Sequence, residues 1–434
     1  MTSTATELVV TAWPSCAPRL LRPGLRTVED YADYTRDGGY RPLDDPDALL
    51  DQVDSSGLLG RGGAAFPFGR KARTVRDAAR RGAQTVVVAN GEEGEPASVK
   101  DRWLLRHRPH LVLDGLRLAA ALVGARQAYV YVSDEQAAAA VNTALTQLDP
   151  AVLGDVGVQL VTVDAGYVAG EETAAVRRIN GGPAKPTDKP PRPYESGVAG
   201  LPTMVSNVET LAHLPYIQRH GADGFRAVGT ASSPGTFLAT VTGAGRPPVL
   251  YELPYGTAFS DLLARHGVHP GEVRGVLMGG YFAGLVNTDI LTATLDHDAI
   301  GRLGSALGCG AMSILTDDCP VAVAAAVLEY FDRENAGQCG SCFNGTAAMS
   351  AVASALRDGV ATQEDVDRLQ RWSEVLRGRG ACGTLDGATN VAGSLLRQFP
   401  DLVARHLAND CPSCAAGAYR ARRPYEVEAV AHHE

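Results

Sequence analysis

Two cysteines spaced C-x2-C, Cys339 and Cys342 in "ENAGQCGSCFNGT", have the spacing of a metal or cluster site. Thiolates so placed bind iron–sulfur clusters or zinc, and either site needs four ligands. A second chemistry is carried by "GLLGRGGAAFPFGRK" (57–71). Gly57, Gly60, Gly62 and Gly63 let the backbone approach a ligand closely, and Arg61 and Lys71 can meet a phosphate. The stretch is neither a Walker loop nor a G-x-G-x-x-G turn after a strand. A tight connector is the plain alternative. A third element is acidic: Glu92, Glu93 and Glu95 in "NGEEGEP", and Glu171 and Glu172 in "AGYVAGEETAA". Carboxylates beside a basic glycine loop suit a nucleotide-like cofactor, with acids on ribityl or ribose hydroxyls and a base on the phosphate. An acidic turn capping a helix N-terminus remains the simpler reading, since "GEET" also starts a helix. A divalent-metal site finds no Asp-rich spacing in its favour.

The elements that must position these residues alternate. "TVVVAN" (85–90), "QAYVYVS" (127–133) and "GVQLVTV" (157–163) read as strands. "KARTVRDAARR", the apolar stretch 110–123 and "DEQAAAAVNTALTQL" (134–148) read as helices. Such alternation predicts an α/β layer with a largely parallel sheet, its acidic turn at a strand's carboxyl end, where such folds bind ligands. Residues 180–203, rich in Gly and Pro, predict a long functional loop. Residues 234–300 read as strand, turn, strand and helix, a small α+β module. From about 320 onward "PVAVAAAVLEYFDREN", "GTAAMSAVASALRDG", "TQEDVDRLQRWSEVLRG" and "VAGSLLRQFPDLVARHL" predict a four-helix bundle with cysteines at the helix ends.

The 434 residues are enough for two to four domains. A net charge of −9 disfavours nucleic acid as a partner. Eight cysteines, mostly near the C-terminus, suit metal binding in a reducing cytoplasm better than a secreted disulfide scaffold. No signal peptide is read at the N-terminus. The most apolar stretch, "HLVLDGLRLAAALVGA", carries Asp114 and Arg117, so no direct membrane insertion is expected.

Taken together, "GLLGRGGAAFPFGRK", "NGEEGEPASVKDR", "AGYVAGEETAA", "KPPRP", "GLPTMVSNVETLAHLP" and the late C-x2-C…C resemble the flavin-binding subunit of NADH:quinone oxidoreductase (complex I). The same subunit type occurs in NAD-linked hydrogenases and formate dehydrogenases. The resemblance runs in order from about residue 50 to about 400. It implies an irregular segment at 1–45, an FMN/NADH-binding α/β domain at 46–230, a ubiquitin-like α+β module at 231–305 and an iron–sulfur helical bundle at 306–434. It implies that Gly60, Arg61, Gly62 and Lys71 cradle FMN, and that Asn90, Glu92, Gly170, Glu171 and Asn207 complete the pocket. Glu93 and Glu172 would face the dinucleotide, and Phe66 would stack on its adenine. The implied partner is a ferredoxin-like or thioredoxin-fold iron–sulfur protein that accepts single electrons.

The chain departs from the family pattern in ways that bear on mechanism. Relatives carry Cys-x2-Cys-x2-Cys and a fourth cysteine about forty residues on. Here Ala336 stands at the first position, Cys339 and Cys342 at the next two, and Cys382 at the fourth. The expected replacement ligand for a [4Fe–4S] cluster is Cys411, or else Cys414, at a returning helix end. The alternatives for that pair are zinc with a partner, or plain thiols. Cys16, Cys309 and Cys319 read as structural. Thr74 and Arg192 stand where the family has aromatics, while Phe68 offers a further aromatic face. Arg192 could stack on adenine or meet a phosphate, which would keep NADH binding or shift preference toward NADPH. Three functions follow: an NAD(P)H-oxidising FMN/iron–sulfur enzyme, a flavoenzyme with a non-nicotinamide donor, or a non-catalytic FMN-binding subunit of a larger assembly.

Overall fold

Val86 to Ala89 in "TVVVAN" are all apolar because this part of the strand Val86–Asn90 is covered on both faces. Alternation sends Val87 and Ala89 toward the helix Pro109–Val123, and Val86 and Val88 toward Ala175, Val176 and Tyr131. The computed structural model describes residues 8–427 except 15, 23 and 26; residues 1–7 and 428–434, at the ends of the first and last expected segments, lie outside the described residues.

Four parallel strands stand in the order Gly157–Thr162, Gln127–Val132, Val86–Asn90, Thr203–Asn207. The chain winds outward from Val86–Asn90 through the first two, then returns to its other side. The strand order therefore reverses between Val86–Asn90 and Thr203–Asn207. Parallel sheets bind ligands outside the carboxyl ends at such a reversal. The residues in register there are Asn90 and Asn207.

A second, mixed sheet runs Val9–Ala12, Val249–Pro254, Thr236–Gly243, Ala311–Leu315, Gly275–Met278, Leu285–Val286. The helix Phe259–His266 packs on it through Phe259, Leu262 and Leu263, the ubiquitin-like arrangement expected. Two of its strands come from outside residues 231–305. Val9–Ala12 belongs to the segment expected to be irregular, and pairs in parallel with Val249–Pro254. Buried Glu252 holds that segment further, accepting the backbone amides of Arg19, Leu20 and Leu21 at 2.8, 3.0 and 2.9 Å.

The bundle comprises Pro320–Glu334, Gly340–Arg357, Gln363–Val375 and Thr384–Gln398. The expected last helix is two: Thr384–Gln398 ends, Phe399 leaves helical geometry, and Pro400 starts Pro400–Leu407. Among the described residues no helix is long and apolar enough to cross a membrane.

One buried charge network ties these layers together. Lys100 is 1 % exposed. Its Nζ lies 2.7 Å from Asp101 Oδ1 and 3.0 Å from Glu209 Oε2. Burial pulls its pKa down, but the two carboxylates outweigh that and hold it above the usual lysine range. Glu209 also accepts the Leu238 amide of the second sheet at 2.9 Å. Replacing Lys100 by Met strands two buried carboxylates, at a cost of about 3–5 kcal/mol. A clear fall in thermal midpoint is expected for Lys100→Met, against almost none for Glu364→Ala in an exposed pair. Equal midpoints for the two variants would contradict the role given to Lys100.

Candidate flavin and iron–sulfur sites

The glycine-rich loop is pinned by a hairpin of its own. Gly60 donates its amide to Phe66 O at 2.9 Å, and Phe68 to Leu58 O at 2.9 Å. The helix that follows, Phe68–Arg80, begins three residues before the expected "KARTVRDAARR". Phe68 is therefore buried in the core and offers no free aromatic face. Phe66 stays 44 % exposed, with the Arg70 guanidinium 5.7 Å from its ring. Gly62 rests on the strand-end residue Asn207; a Cβ there would sit 3.2 Å from Asn207 Cβ.

Arg61 departs from expectation. Its side chain turns inward, with Nη2 donating to Thr236 O at 3.0 Å, Nε 3.8 Å from Glu209 and the guanidinium over the Tyr255 ring. Its backbone amide donates to Thr210 Oγ1 at 2.8 Å, and the inward side chain is not placed for a phosphate. Lys71 is the cation that remains near the surface. Its Nζ donates to Val205 O at 2.9 Å and lies 3.8 Å from Glu172. Burial lowers its pKa, and Glu172 opposes the change.

The acidic residues divide into supports and free groups. Glu93, expected to face a dinucleotide, has a side chain only 3 % exposed that caps the helix Lys100–His107: its carboxylate accepts the Asp101 and Arg102 amides at 3.2 and 3.0 Å. Glu171 caps Glu172–Ile179 through the amides of Thr173 and Ala174, and pairs with Lys189 at 2.5 Å. The helix-start reading thus holds for Glu171. Glu172 stays about a third exposed, facing Lys71. Asn90 donates from Nδ2 to Gly170 O at 2.7 Å. Asn207 donates to Asp101 at 2.7 Å and accepts the Glu209 amide at 3.0 Å. Glu92 is buried, and its Oε2 lacks a hydrogen-bond partner. Gly170 makes room for that oxygen, since a Cβ would meet it at 2.5 Å. Burial first, and Glu93 to a lesser degree, push the Glu92 carboxyl up to about 8 against the Gly166 amide. Lys100, Asp101 and Glu209, which orient Asn207, were not singled out in the sequence.

Cys339, Cys342 and Cys382 line one pocket together with Ala336, Gln338 and Pro186. Cys339 precedes the helix Gly340–Arg357, Cys342 sits in its first turn, and Cys382 lies just before Thr384–Gln398. Burial, then Cys382 and Cys339, push the Cys342 thiol up to about 12. Ala336 occupies a wall of this pocket with a methyl group that cannot ligate iron.

Cys411 is not among these residues, and the expectation that it supplies the fourth ligand is corrected. It lies with Cys319, His406 and Cys414. Cys319 caps the start of Pro320–Glu334, whose 15 residues span roughly 22 Å, while Cys339 follows its other end. Cys414 is held away by the same helix.

A physical connection joins the two sites. Lys189 pairs with Glu171, and Lys185 Nζ donates to Ala336 O at 2.9 Å. Gln338 Nε2 donates to Pro186 O at 2.8 Å. The Gly/Pro-rich loop 180–203 thus touches both acidic turn and cysteine loop.

Comparisons with known proteins agree with this division. The family model "Nuo51 FMN-binding domain" matches residues 53–216, and "NADH-ubiquinone oxidoreductase-F iron-sulfur binding region" matches 322–406. The chain is 34 % identical over 406 residues to the second F-type subunit of the NADH-quinone oxidoreductase of Rhizobium meliloti (strain 1021), covering 87 % of this chain and 95 % of that protein. It is 32 % identical over 413 residues to the F-type subunit of the NADH-quinone oxidoreductase of Mycobacterium tuberculosis (strain ATCC 25618 / H37Rv), covering 89 % and 92 %. Among solved structures, it resembles a chain of the NAD+-reducing [NiFe]-hydrogenase in the H2-reduced state, with TM-score 0.75 and 31 % identity. The match covers 84 % of this chain and 63 % of the hydrogenase chain, so it spans less than two thirds of that neighbour.

The residues present fit a flavin mononucleotide: one near-surface lysine, asparagines at the strand reversal, glycine cradles and an orphaned buried carboxyl oxygen. They fit an iron–sulfur cluster at three corners, with Ala336 on the pocket wall. Ala336→Cys should raise iron content toward about four per chain and slow its loss in air; iron analysis and the decay of the cluster's visible absorbance check this. The Glu92 carboxyl, raised in the folded protein, favours folding at low pH, and that contribution is lost as pH rises through about 8. Glu92→Gln should therefore flatten part of the fall in thermal midpoint between about pH 5 and about pH 8. Glu95, also raised to about 8 chiefly by burial, leaves a residual slope.

Proposed function

The chain belongs to the family of F-type subunits of NADH-quinone oxidoreductase, and on that premise we propose that it oxidises NADH at an FMN and passes electrons singly through an iron–sulfur cluster to a partner subunit. The observation that carries this reading is the placement of the glycine-rich loop, Asn90 and Asn207 at the sheet's strand-order reversal. Bound FMN supplies the exchange between two-electron and one-electron chemistry, with the protein supplying orientation and electrostatics.

This chain's residues have distinct parts. Lys71 meets the cofactor phosphate; its charge is only partly balanced by Glu172 at 3.8 Å. Gly62 brings the loop backbone close to Asn207, and Asn90 and Asn207 hold their amides along the strand ends. Glu92, largely protonated at neutral pH, presents an acid O–H beside Gly170. Glu172 and the exposed ring of Phe66 receive the dinucleotide. Arg192, exposed in the loop 180–203, covers its adenine in place of the family's aromatic. Glu93 and Glu171 act one step back, as helix caps.

Cys339, Cys342 and Cys382 would hold the cluster, and Ala336 on the same pocket wall offers it no thiolate. Phe343, beside Cys342, is 41 % exposed and offers an apolar contact for a small iron–sulfur partner docking on the bundle. The eight unpaired cysteines support a place in the reducing cytoplasm.

The test is turnover. With FMN and iron–sulfur reconstituted, the protein should reduce ferricyanide with NADH, and acid should release FMN and not FAD. Lys71→Ala should lose a charge-assisted hydrogen bond worth about 1.5–3 kcal/mol, weakening FMN retention roughly tenfold or more. No turnover with NADH or NADPH in a flavin-loaded sample would favour another two-electron donor.

A further inference from the structure

Cys319, His406, Cys411 and Cys414 converge at the end of the bundle away from Cys339, and nothing in the proposed electron transfer uses them. Their four ligand atoms all lie within 4.8 Å of one another. Cys319 Sγ is 3.2 Å from His406 Nε2 and 3.8 Å from Cys411 Sγ; Cys414 Sγ is 3.8 Å from His406 Nε2. A tetrahedral zinc with Zn–S of about 2.3 Å and Zn–N of about 2.0 Å sets its ligand sulfurs about 3.8 Å apart and each sulfur about 3.5 Å from the nitrogen. We propose that these four residues bind one zinc ion in a closed structural site, a function separate from the flavin and iron–sulfur chemistry above.

The surroundings agree with that assignment. His406 and Cys319 are 2 % and 3 % exposed, and Cys411 is buried too. His406 Nδ1 lies 2.9 Å from Leu356 O, which fixes the proton on Nδ1 and leaves the Nε2 lone pair toward the sulfurs. Three cysteines and one histidine form an established structural zinc set. Cys411 and Cys319 are free thiols with sulfurs 3.8 Å apart, not a disulfide, whose sulfurs sit about 2.05 Å apart. A cubane cluster would put each ligand on a different iron, whereas these four atoms surround a single point.

The site holds a strap. After Cys414 the chain returns along the molecule: Tyr425 Oη donates to Asp318 at 2.7 Å, and Val427 N donates to Pro96 O at 3.0 Å, beside the acidic turn. Zinc joins the root of that strap to the start of Pro320–Glu334.

The full-length protein, purified under reducing conditions from zinc-containing medium, should carry about one zinc per chain by mass spectrometry. Cys411→Ser and Cys414→Ser should lose it, while Cys342→Ser and Cys16→Ser should keep it. Should the first two fail to fold, a thiol-directed mercurial added to the wild-type protein should release one zinc per chain to a metal-sensitive dye. Zinc absent from the wild-type protein, iron in its place, zinc retained in Cys411→Ser and Cys414→Ser, or zinc lost in Cys342→Ser would each overturn the proposal.

Discussion

The buried ammonium of Lys100 is the constraint on which the flavin-side geometry rests. A lone charge so deeply buried is very costly, and the Asp101 and Glu209 carboxylates within 3.0 Å make it tolerable. Those carboxylates are then committed. Asp101 accepts from Asn207, Glu209 accepts from the second sheet, and Arg61 lies against Glu209 from the glycine-rich loop. One cation thereby fixes the strand end, the loop over it and the neighbouring module. Gly62 can then lie against Asn207, and the loop's backbone is brought to the strand ends.

The bundle imposes a second constraint through length alone. Helices of 15 and 18 residues, joined by a short connection, place Cys319 and Leu356 at one end and Cys339 and Cys342 at the other. Thiols close in sequence pattern are thus divided between two places in space. Ala336 faces the three-cysteine pocket, and no cysteine from the far end reaches it. The two groups also differ in form. Three thiols around a pocket would hold a cluster at three corners. Three thiols and an imidazole gathered on one point suit a single ion.

Much of this was legible in the sequence. The parallel sheet followed from apolar strands alternating with helices, and the strand-end site from acidic residues directly after "TVVVAN". That Cys339, Cys342 and Cys382 share one pocket follows from their spacing and the family resemblance. The misses share a physical cause: they depend on contacts distant in sequence. Val9–Ala12 is a strand because Val249–Pro254 lies beside it. Arg61 looks like a phosphate ligand until Thr236, Glu209 and Tyr255 appear around it. Glu93 looks free until the helix it caps is placed. Cys411 lies beside Cys319, and the helix Pro320–Glu334 separates that end from Cys339, a direction that cysteine spacing alone does not carry. The spacing His406-x4-Cys411-x2-Cys414 was the available signal, but its fourth member lies 87 positions before His406.

The central claim is that this chain accepts a hydride from a nicotinamide onto its own flavin. An anaerobic titration of the FMN-loaded, reduced-thiol protein with NADH, following flavin absorbance, tests it most directly. The account predicts bleaching complete near stoichiometric NADH. A flavin that stays oxidised under excess NADH and excess NADPH would contradict it.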